Sequence, residues 1–320
     1  MLPEHRLPQG WPLPADEPFT LDQARAAGVR RQLPTLLRSR VLRRLLRSVY
    51  VSSAVADDIR LRATAVSLVM PPGCFVTDRC AGWLHGADMT LAPNEDVLVP
   101  RVTFFRGSDE GRLRNELCLS GERRVVPDEL VEIHGVLATT PLRTAFDLGR
   151  LQRPDVALAG MDSLARLRGF QVTELIEGLE KFKSQRGVVQ LRELAPMVDP
   201  GSESFGESAT RRRWHTAGLP WPTTQIPIMV DGFEVFRIDL GLEDLLMGVD
   251  YNGRKWHTAT SDESHDLERI GLLTQRHGYE MEVFDHTNVF GVGQDAAERL
   301  LSAFYRARET FPDRRRRVRY

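Results

Sequence analysis

The chain has 320 residues, of which 42% are hydrophobic and 27% are charged, and its formal net charge is -1. This length and composition allow two or three hydrophobic cores and exclude an intrinsically disordered protein. With this balanced charge, the electric field of the whole protein does not attract nucleic acid. Any affinity for DNA therefore has to come from local basic patches.

The cysteines and the hydropathy pattern predict a cytoplasmic protein. Cys74, Cys80 and Cys118 cannot all pair with one another, and no secretory segment precedes them, so a reducing cytoplasm is the expected setting. No apolar run approaches the length of a membrane span, and no membrane contact is expected.

The N-terminal part of the chain predicts a small DNA-binding domain. Residues 1–18 are rich in proline and lack periodicity, which is typical of a loose or draped arm. In residues 19–55, Thr20 can cap a helix that Gly28 ends, residues 30–40 can form a second helix, and residues 41–51 fit a strand pair. Helix, turn, helix and hairpin is the order of a winged helix.

Arginine is concentrated in this segment. Asp22 is the only acidic residue between positions 20 and 50, so the small domain has the charge of a phosphate-binding surface. A solvated basic face that binds nothing specific is the alternative. The candidate nucleic-acid contacts are Arg30, Arg31, Arg38, Arg40, Arg43, Arg44 and Arg47.

Two segments resemble antitoxins of the AbiEi type. Residues 43–50 are similar to the end of the winged-helix domain of that group, although Pro34 and Ser48 depart from its pattern. Residues 139–147 are similar to the start of the helical part of its second domain. Arg143 and Asp147 lie four residues apart there, so a structural ion pair is the default interpretation.

The rest of the chain divides into a scaffold and a C-terminal domain. Residues 56–199 mix a helix, several short strands and further helices, which predicts a mixed α/β scaffold. Residues 200–312 predict a helix, a hairpin at Asp231-Gly232, a third strand, a helix, a fourth strand and a last helix. Residues 313–320 form a basic tail that either contacts DNA phosphates or only solubilises the chain.

Carboxylates in the C-terminal domain predict a cation site. Asp239 and Asp250 lie near the ends of two successive predicted strands, beside apolar residues, and Glu207 lies in the first turn of the preceding helix. An unpaired carboxylate is costly to bury, so this placement favours a bound cation.

The same region resembles the very-short-patch-repair-like endonuclease domains of the DUF559 group, within the PD-(D/E)XK superfamily. The resemblance is carried by Glu207 with Arg211, Gln225-Ile-Pro, Ile238-Asp-Leu, Val249-Asp-Tyr-Asn-Gly253, His257, Asp266 with Arg269, and Gly278-Tyr279. It implies a restriction-endonuclease-like αβββαβ core in a multidomain α+β and α/β chain.

The resemblance also implies a chemistry. Glu207, Asp239 and Asp250 would hold Mg²⁺ or Mn²⁺, His257 would transfer a proton, and Asn252 would lie at a catalytic position. The family has Glu and Asp where this chain has Asp250 and Asn252, and an amide cannot act as a base. Asp266 and Arg269 also fit a simple ion pair on a helix surface.

The sequence is compatible with two functions from different classes. The first is a metal-dependent DNA endonuclease or nickase that a winged helix delivers to DNA; a homodimer would supply the two active sites that a double-strand cut needs. The second is a DNA-binding regulator or antitoxin-like protein whose nuclease-like domain has lost its chemistry. RNA is the weaker alternative to DNA as the partner.

Overall fold

The structure, a computed structural model, describes residues 6–89, 102–108, 118–253 and 269–317. Its strands form three sheets, with the strand orders β1-β3-β2, β6-β5-β4-β8-β7 and β12-β11-β10-β9. Over these described ranges, no helix combines the length and the apolar character that crossing a membrane requires.

The N-terminal sheet carries two short helices. Its elements are β1 (Phe19–Thr20), α1 (Leu21–Ala26), a 3₁₀ turn (Arg30–Gln32), α2 (Leu33–Arg38), β2 (Leu42–Leu46) and β3 (Val49–Ser52). Thr20 caps α1 through a reciprocal capping box with Gln23, as the sequence predicts. The second helix is shorter than the predicted residues 30–40. Pro34 is accommodated in the first turn of α2, where its missing N–H costs nothing.

The middle region joins a mixed sheet to a helical layer. Its elements are α3 (Ile59–Ser67), β4 (Phe75–Val76), α4 (Asp78–Leu84), β5 (Val102–Arg106), β6 (Cys118–Glu122), β7 (Leu130–Ile133), β8 (Val136–Thr139), α5 (Pro141–Leu151), α6 (Pro154–Arg166), α7 (Val172–Glu177) and α8 (Val188–Leu194). The predicted strand at residues 131–137 is two strands, because His134 and Gly135 both take positive φ and reverse the chain.

One hydrophobic core joins the N-terminal hairpin to the middle sheet. Leu46 and Val49 from the hairpin share a cluster of buried residues with Val66 of α3 and with Val76 and Phe104 of the middle sheet. A separate core fills the helical layer between α5, α6 and α8. The basic hairpin is therefore packed against the scaffold on its apolar face.

The described elements of the C-terminal region follow the predicted order, with one further short helix at residues 286–289 that the sequence does not predict. They are α9 (Phe205–Thr216), β9 (Thr223–Val230), β10 (Phe233–Leu242), β11 (Met247–Tyr251), the helical residues 269–275 (α10), β12 (Glu280–Phe284), α11 (His286–Val289) and α12 (Ala296–Arg317). Strands β9, β10 and β11 are antiparallel, and β12 runs parallel to β11. Asp231 and Gly232 make the hairpin turn with φ values of 51° and 84°.

Buried ion pairs fasten α9 to α6 of the scaffold. Arg211 is 2% exposed and forms an ion pair with Asp162, which is 1% exposed. Both guanidinium arms of Arg213 donate to Asp155, each at 2.9 Å. The helix that carries Glu207 thus has a fixed position relative to the scaffold.

The N-terminal arm takes the draped form that the sequence allows, and the C-terminal tail continues a helix. Leu7, Trp11 and Leu13 pack against the N-terminal core, so the described part of the arm is draped over the domain. Helix α12 continues to Arg317, and the predicted tail is therefore helical in backbone over residues 313–317.

His215, in the last turn of α9, gives a first testable prediction. Its ring packs against Trp221 with the centroids 4.4 Å apart. Burial, followed by the charge of Arg211, lowers the pKa of His215 from 6.5 to about 4. The unfolded chain binds this proton at a higher pH than the folded chain does, so stability is lost as the pH falls from about 6.5 towards about 4. We expect the urea midpoint to fall less over this range in His215→Phe than in the wild type.

Urea unfolding at several pH values between 7.5 and 4 measures the effect. The control is His134→Asn, which removes an exposed histidine from the turn between β7 and β8. Identical pH profiles for His215→Phe and the wild type would contradict the prediction.

Candidate functional site

Two neighbouring strands bring Asp239 and Asp250 together. The pairing of Leu240 with Val249 aligns β10 and β11 so that the two aspartates lie side by side. The Asp239 N–H donates to Oδ1 of Asp250 at 3.2 Å, and the Tyr251 N–H donates to Oδ2 of Asp239 at 2.7 Å. Each carboxylate therefore accepts a hydrogen bond from the backbone of the other strand.

Glu207 reaches the same place from the first turn of α9. Ser204 caps that helix and accepts the Glu207 N–H at 3.2 Å. One carboxylate oxygen of Glu207 accepts the Glu203 N–H at 2.8 Å and the side-chain amide of Gln225 at 3.1 Å. Gln225 has a positive φ of 53° within β9, an uncommon conformation for a residue other than glycine.

The charges of Glu207 and Asp250 act on Asp239. Burial, followed by the charges of Glu207 and Asp250, raises the pKa of Asp239 from 3.8 to about 7. The Tyr251 amide and Arg269 act in the opposite direction. Burial also raises the pKa of Glu207. The ionised form of this cluster is therefore costly unless a positive charge stands beside it.

Arg269 of α10 supplies a positive charge. Its guanidinium donates to Oδ2 of Asp250 at 2.7 Å, with side-chain exposures of 28% for Arg269 and 4% for Asp250. Asp266, the predicted partner of Arg269 in a surface ion pair, lies outside the described residues. The observed partner of Arg269 is a buried strand residue that is 19 positions away.

A divalent cation in the cluster would need carboxylate oxygens as ligands. Both oxygens of Asp250 and one oxygen each of Asp239 and Glu207 already accept hydrogen bonds. Across the described ranges, no three His, Cys, Asp or Glu side chains are grouped so that they could hold a metal ion. Four of the six carboxylate oxygens are thus engaged in the described conformation, and metal ligation by these residues stays a prediction.

The remaining predicted catalytic residues have different outcomes. His257 lies outside the described residues. Asn252 is described, and its N–H donates to the Phe284 carbonyl at 2.8 Å, which ties the end of β11 to β12. Its backbone therefore has a structural role at the edge of the cluster.

Three aromatic rings from α9, β11 and the residue after α11 pack together. The rings of Phe205 and Phe290 are stacked with centroids 5.0 Å apart, and Tyr251 meets Phe290 edge-on at 6.5 Å. Gly206 lets α9 approach Tyr251, since a Cβ at position 206 would lie 1.9 Å from a ring carbon.

We expect Gly206→Ala to destabilise the protein. The methyl group forces the Tyr251 ring or α9 to move, and overpacking of this kind costs about 1–3 kcal/mol. Urea unfolding of the variant measures the loss. Gly271→Ala is the control, because no atom of the described residues lies within 4 Å of a Cβ built there. The prediction fails if both variants unfold at the midpoint of the wild type.

The N-terminal arginines form a second candidate site. Six of the seven are exposed, namely Arg30, Arg31, Arg38, Arg40, Arg44 and Arg47. Arg43 is half-buried and donates to the Val55 carbonyl at 2.9 Å, so it has a structural partner. Arg47 lies at the turn between β2 and β3, beside Ser48, whose φ is 70°. The six exposed arginines can meet phosphates, and their binding role stays a prediction.

A buried ionic network lies in the scaffold. The predicted pair is present, with Arg143 donating to Asp147 at 3.1 Å. Asp147 is fully buried and also accepts Arg150 at 2.7 Å and Arg123 at 3.1 Å. Arg123 donates to both oxygens of Asp78, at 2.6 and 3.2 Å. The sequence gives no local signal for Arg123 or Asp78, which are remote from α5 in the chain.

Comparisons with known proteins place a similarity in this scaffold. Residues 73–197 match the family model of the AbiEi antitoxin C-terminal domain. Two uncharacterized proteins of Mycobacterium tuberculosis, MT2308 of strain CDC 1551 / Oshkosh and Rv2248 of strain ATCC 25618 / H37Rv, are each 29% identical to this chain over 246 residues, which cover 77% of this chain and 86% of the relative.

The matched range agrees with one predicted resemblance. It contains residues 139–147, which the sequence relates to the second domain of antitoxins of this type. Residues 43–50 and the C-terminal domain lie outside it, so their resemblances stay predictions. The scaffold of this chain is therefore similar to the AbiEi antitoxin C-terminal domain.

Proposed function

We propose that this protein is a DNA-binding regulator of the antitoxin type. The observation that carries the proposal is the similarity of residues 73–197 to the AbiEi antitoxin C-terminal domain. In this proposal the N-terminal domain docks on DNA, the scaffold holds it in place, and the C-terminal domain serves as a binding or assembly module.

The charge distribution supports docking through the N-terminal domain. The whole chain has a net charge of -1, so it has no global attraction for phosphates. The exposed arginines of the 3₁₀ turn, α2 and the β2–β3 hairpin make this domain locally basic. The hairpin also shares a core with the scaffold, so the docking surface and the scaffold move together.

Salt dependence tests the proposal. The affinity of the full-length protein for a fluorescent random-sequence DNA duplex is measured by anisotropy between 50 and 200 mM salt, a range in which counterion release is readily observed. Six phosphate contacts would give a slope of log K against log salt of about -5. A flat response would overturn docking through arginines, and tighter binding of an RNA duplex of equal length would favour RNA as the partner.

The second candidate is the metal-dependent endonuclease. One observation favours it: Glu207, Asp239 and Asp250 come from three separate elements and lie within electrostatic reach of one another. Both oxygens of Asp250 accept protein hydrogen bonds in the described conformation, so a metal ion on Asp250 would have to displace or share them.

Conversion of supercoiled plasmid with Mg²⁺ or Mn²⁺ separates the two candidates. The wild type is compared with Asp239→Asn, with a chelator control, and with Asp244→Asn, which changes an exposed carboxylate outside the cluster. Nicked or linear product that needs both metal and Asp239 would favour the nuclease. Absence of conversion, together with salt-sensitive DNA binding, supports the regulator.

A further inference from the structure

The carboxylate cluster of the C-terminal domain contains its own cation. Asp250 is 3% exposed and lies on a central strand of the sheet. Arg269 approaches it from α10 and donates to Oδ2 at 2.7 Å, while a second guanidinium nitrogen donates to the Arg237 carbonyl of β10 at 3.4 Å. The guanidinium is therefore held between Asp250 and the backbone of the neighbouring strand.

A positive charge beside Asp250 offsets the cost of burying these carboxylates. Asp239 and Asp250 are adjacent, and Glu207 adds a third carboxylate that is half-buried. Backbone N–H groups of Asp239 and Tyr251 reduce the cost of burying these groups but carry no net charge. Arg269 is the cation that the described residues place against Asp250.

A divalent cation and Arg269 exclude each other here. A metal ion that used Oδ2 of Asp250 would compete with the guanidinium for that atom and would be repelled by its charge. A guanidinium never loses its proton in proteins, so the competition does not disappear at any ordinary pH.

We propose that Arg269 is the resident counter-cation of the Glu207, Asp239 and Asp250 cluster and takes the place of a metal ion. The domain then folds without metal, and binding of a divalent cation requires removal of the arginine charge. The inference does not depend on DNA binding and concerns a different part of the molecule.

Binding of Mn²⁺ to the full-length protein, without DNA, tests the inference. Isothermal titration and thermal unfolding in chelator or Mn²⁺ are compared for the wild type and Arg269→Met. The wild type is expected to show no shift in Tm with Mn²⁺. Arg269→Met is expected to have a lowered Tm in chelator, to regain stability with Mn²⁺, and to bind Mn²⁺ at least about tenfold more tightly than the wild type.

Three further variants make the result specific. Arg269→Lys keeps the charge and is expected to gain no Mn²⁺ binding. Arg237→Met removes an exposed arginine that is paired with Glu234, outside the cluster, and is expected to behave as the wild type. Asp250→Asn combined with Arg269→Met removes both partners and is expected to fold without gaining Mn²⁺ binding.

Two results would contradict the role of Arg269 as counter-cation. Equal Mn²⁺ affinity of the wild type and Arg269→Met would overturn it, as would a folded Arg269→Met that gains no binding. Should Arg269→Met not fold, the double variant decides: a folded double variant supports a charge-balancing arginine, and an unfolded one shows that Arg269 acts through packing instead.

Discussion

Replacing Arg30, Arg31 and Arg47 together by alanine is expected to weaken DNA binding by on the order of a hundredfold at 0.1 M salt. The three side chains are exposed on the 3₁₀ turn and the β2–β3 turn, so their loss removes charge without opening a core. Each phosphate contact contributes about 0.9 to the salt slope, so the slope should fall by about 3. Fluorescence anisotropy over a series of salt concentrations measures both quantities.

A matched control removes the same charge elsewhere. Arg153, Arg168 and Arg186 are exposed arginines of the scaffold, and their replacement by alanine leaves the N-terminal domain intact. This control is expected to keep most of the affinity and an unchanged salt slope. Equal losses in the two triple variants would show that DNA binding follows net charge and has no docking surface in the N-terminal domain.

Asp147→Asn is expected to destabilise the scaffold by about 3–5 kcal/mol, the usual cost of breaking a buried ion pair. Asp147 is 0% exposed and accepts hydrogen bonds from Arg123, Arg143 and Arg150. The amide keeps the size of the side chain and removes its charge, which leaves three buried guanidinium groups with less compensation. Unfolding in urea and by heat, with circular dichroism, measures the loss.

Asp22→Asn is the control for this substitution. Asp22 also pairs with an arginine, Arg25 at 2.6 Å, but their side chains are 83% and 48% exposed. An exposed pair contributes at most about 1 kcal/mol, so the control should unfold close to the wild type. A loss below about 1 kcal/mol in Asp147→Asn would show that the charge of Asp147 is dispensable for the stability of the scaffold.

The arginine network and the carboxylate cluster differ in how far the sequence predicts them. Arg143 and Asp147 are four residues apart on α5, so their pairing follows from helix geometry. Arg123 is 24 positions from Asp147, and Arg269 is 19 positions from Asp250. No rule of local spacing relates such residues, because their separation depends on how whole elements pack.

By itself the sequence determined the local features of this protein. The Thr20 cap, the Asp231-Gly232 turn and the order of elements in the C-terminal region follow from interactions between residues a few positions apart. Backbone sterics and hydrogen bonds within one turn specify these features wherever the segment lies in the fold.

Only the tertiary structure decided what surrounds the carboxylates. The sequence indicates that Asp239 and Asp250 need a cation and cannot say that Arg269 supplies one, because that contact requires α10 to lie across β10 and β11. The same holds for Gln225 at Glu207 and for Arg123 at Asp147. Contacts between distant residues form only when the packing of the whole chain has repaid the entropy of closing the loops between them.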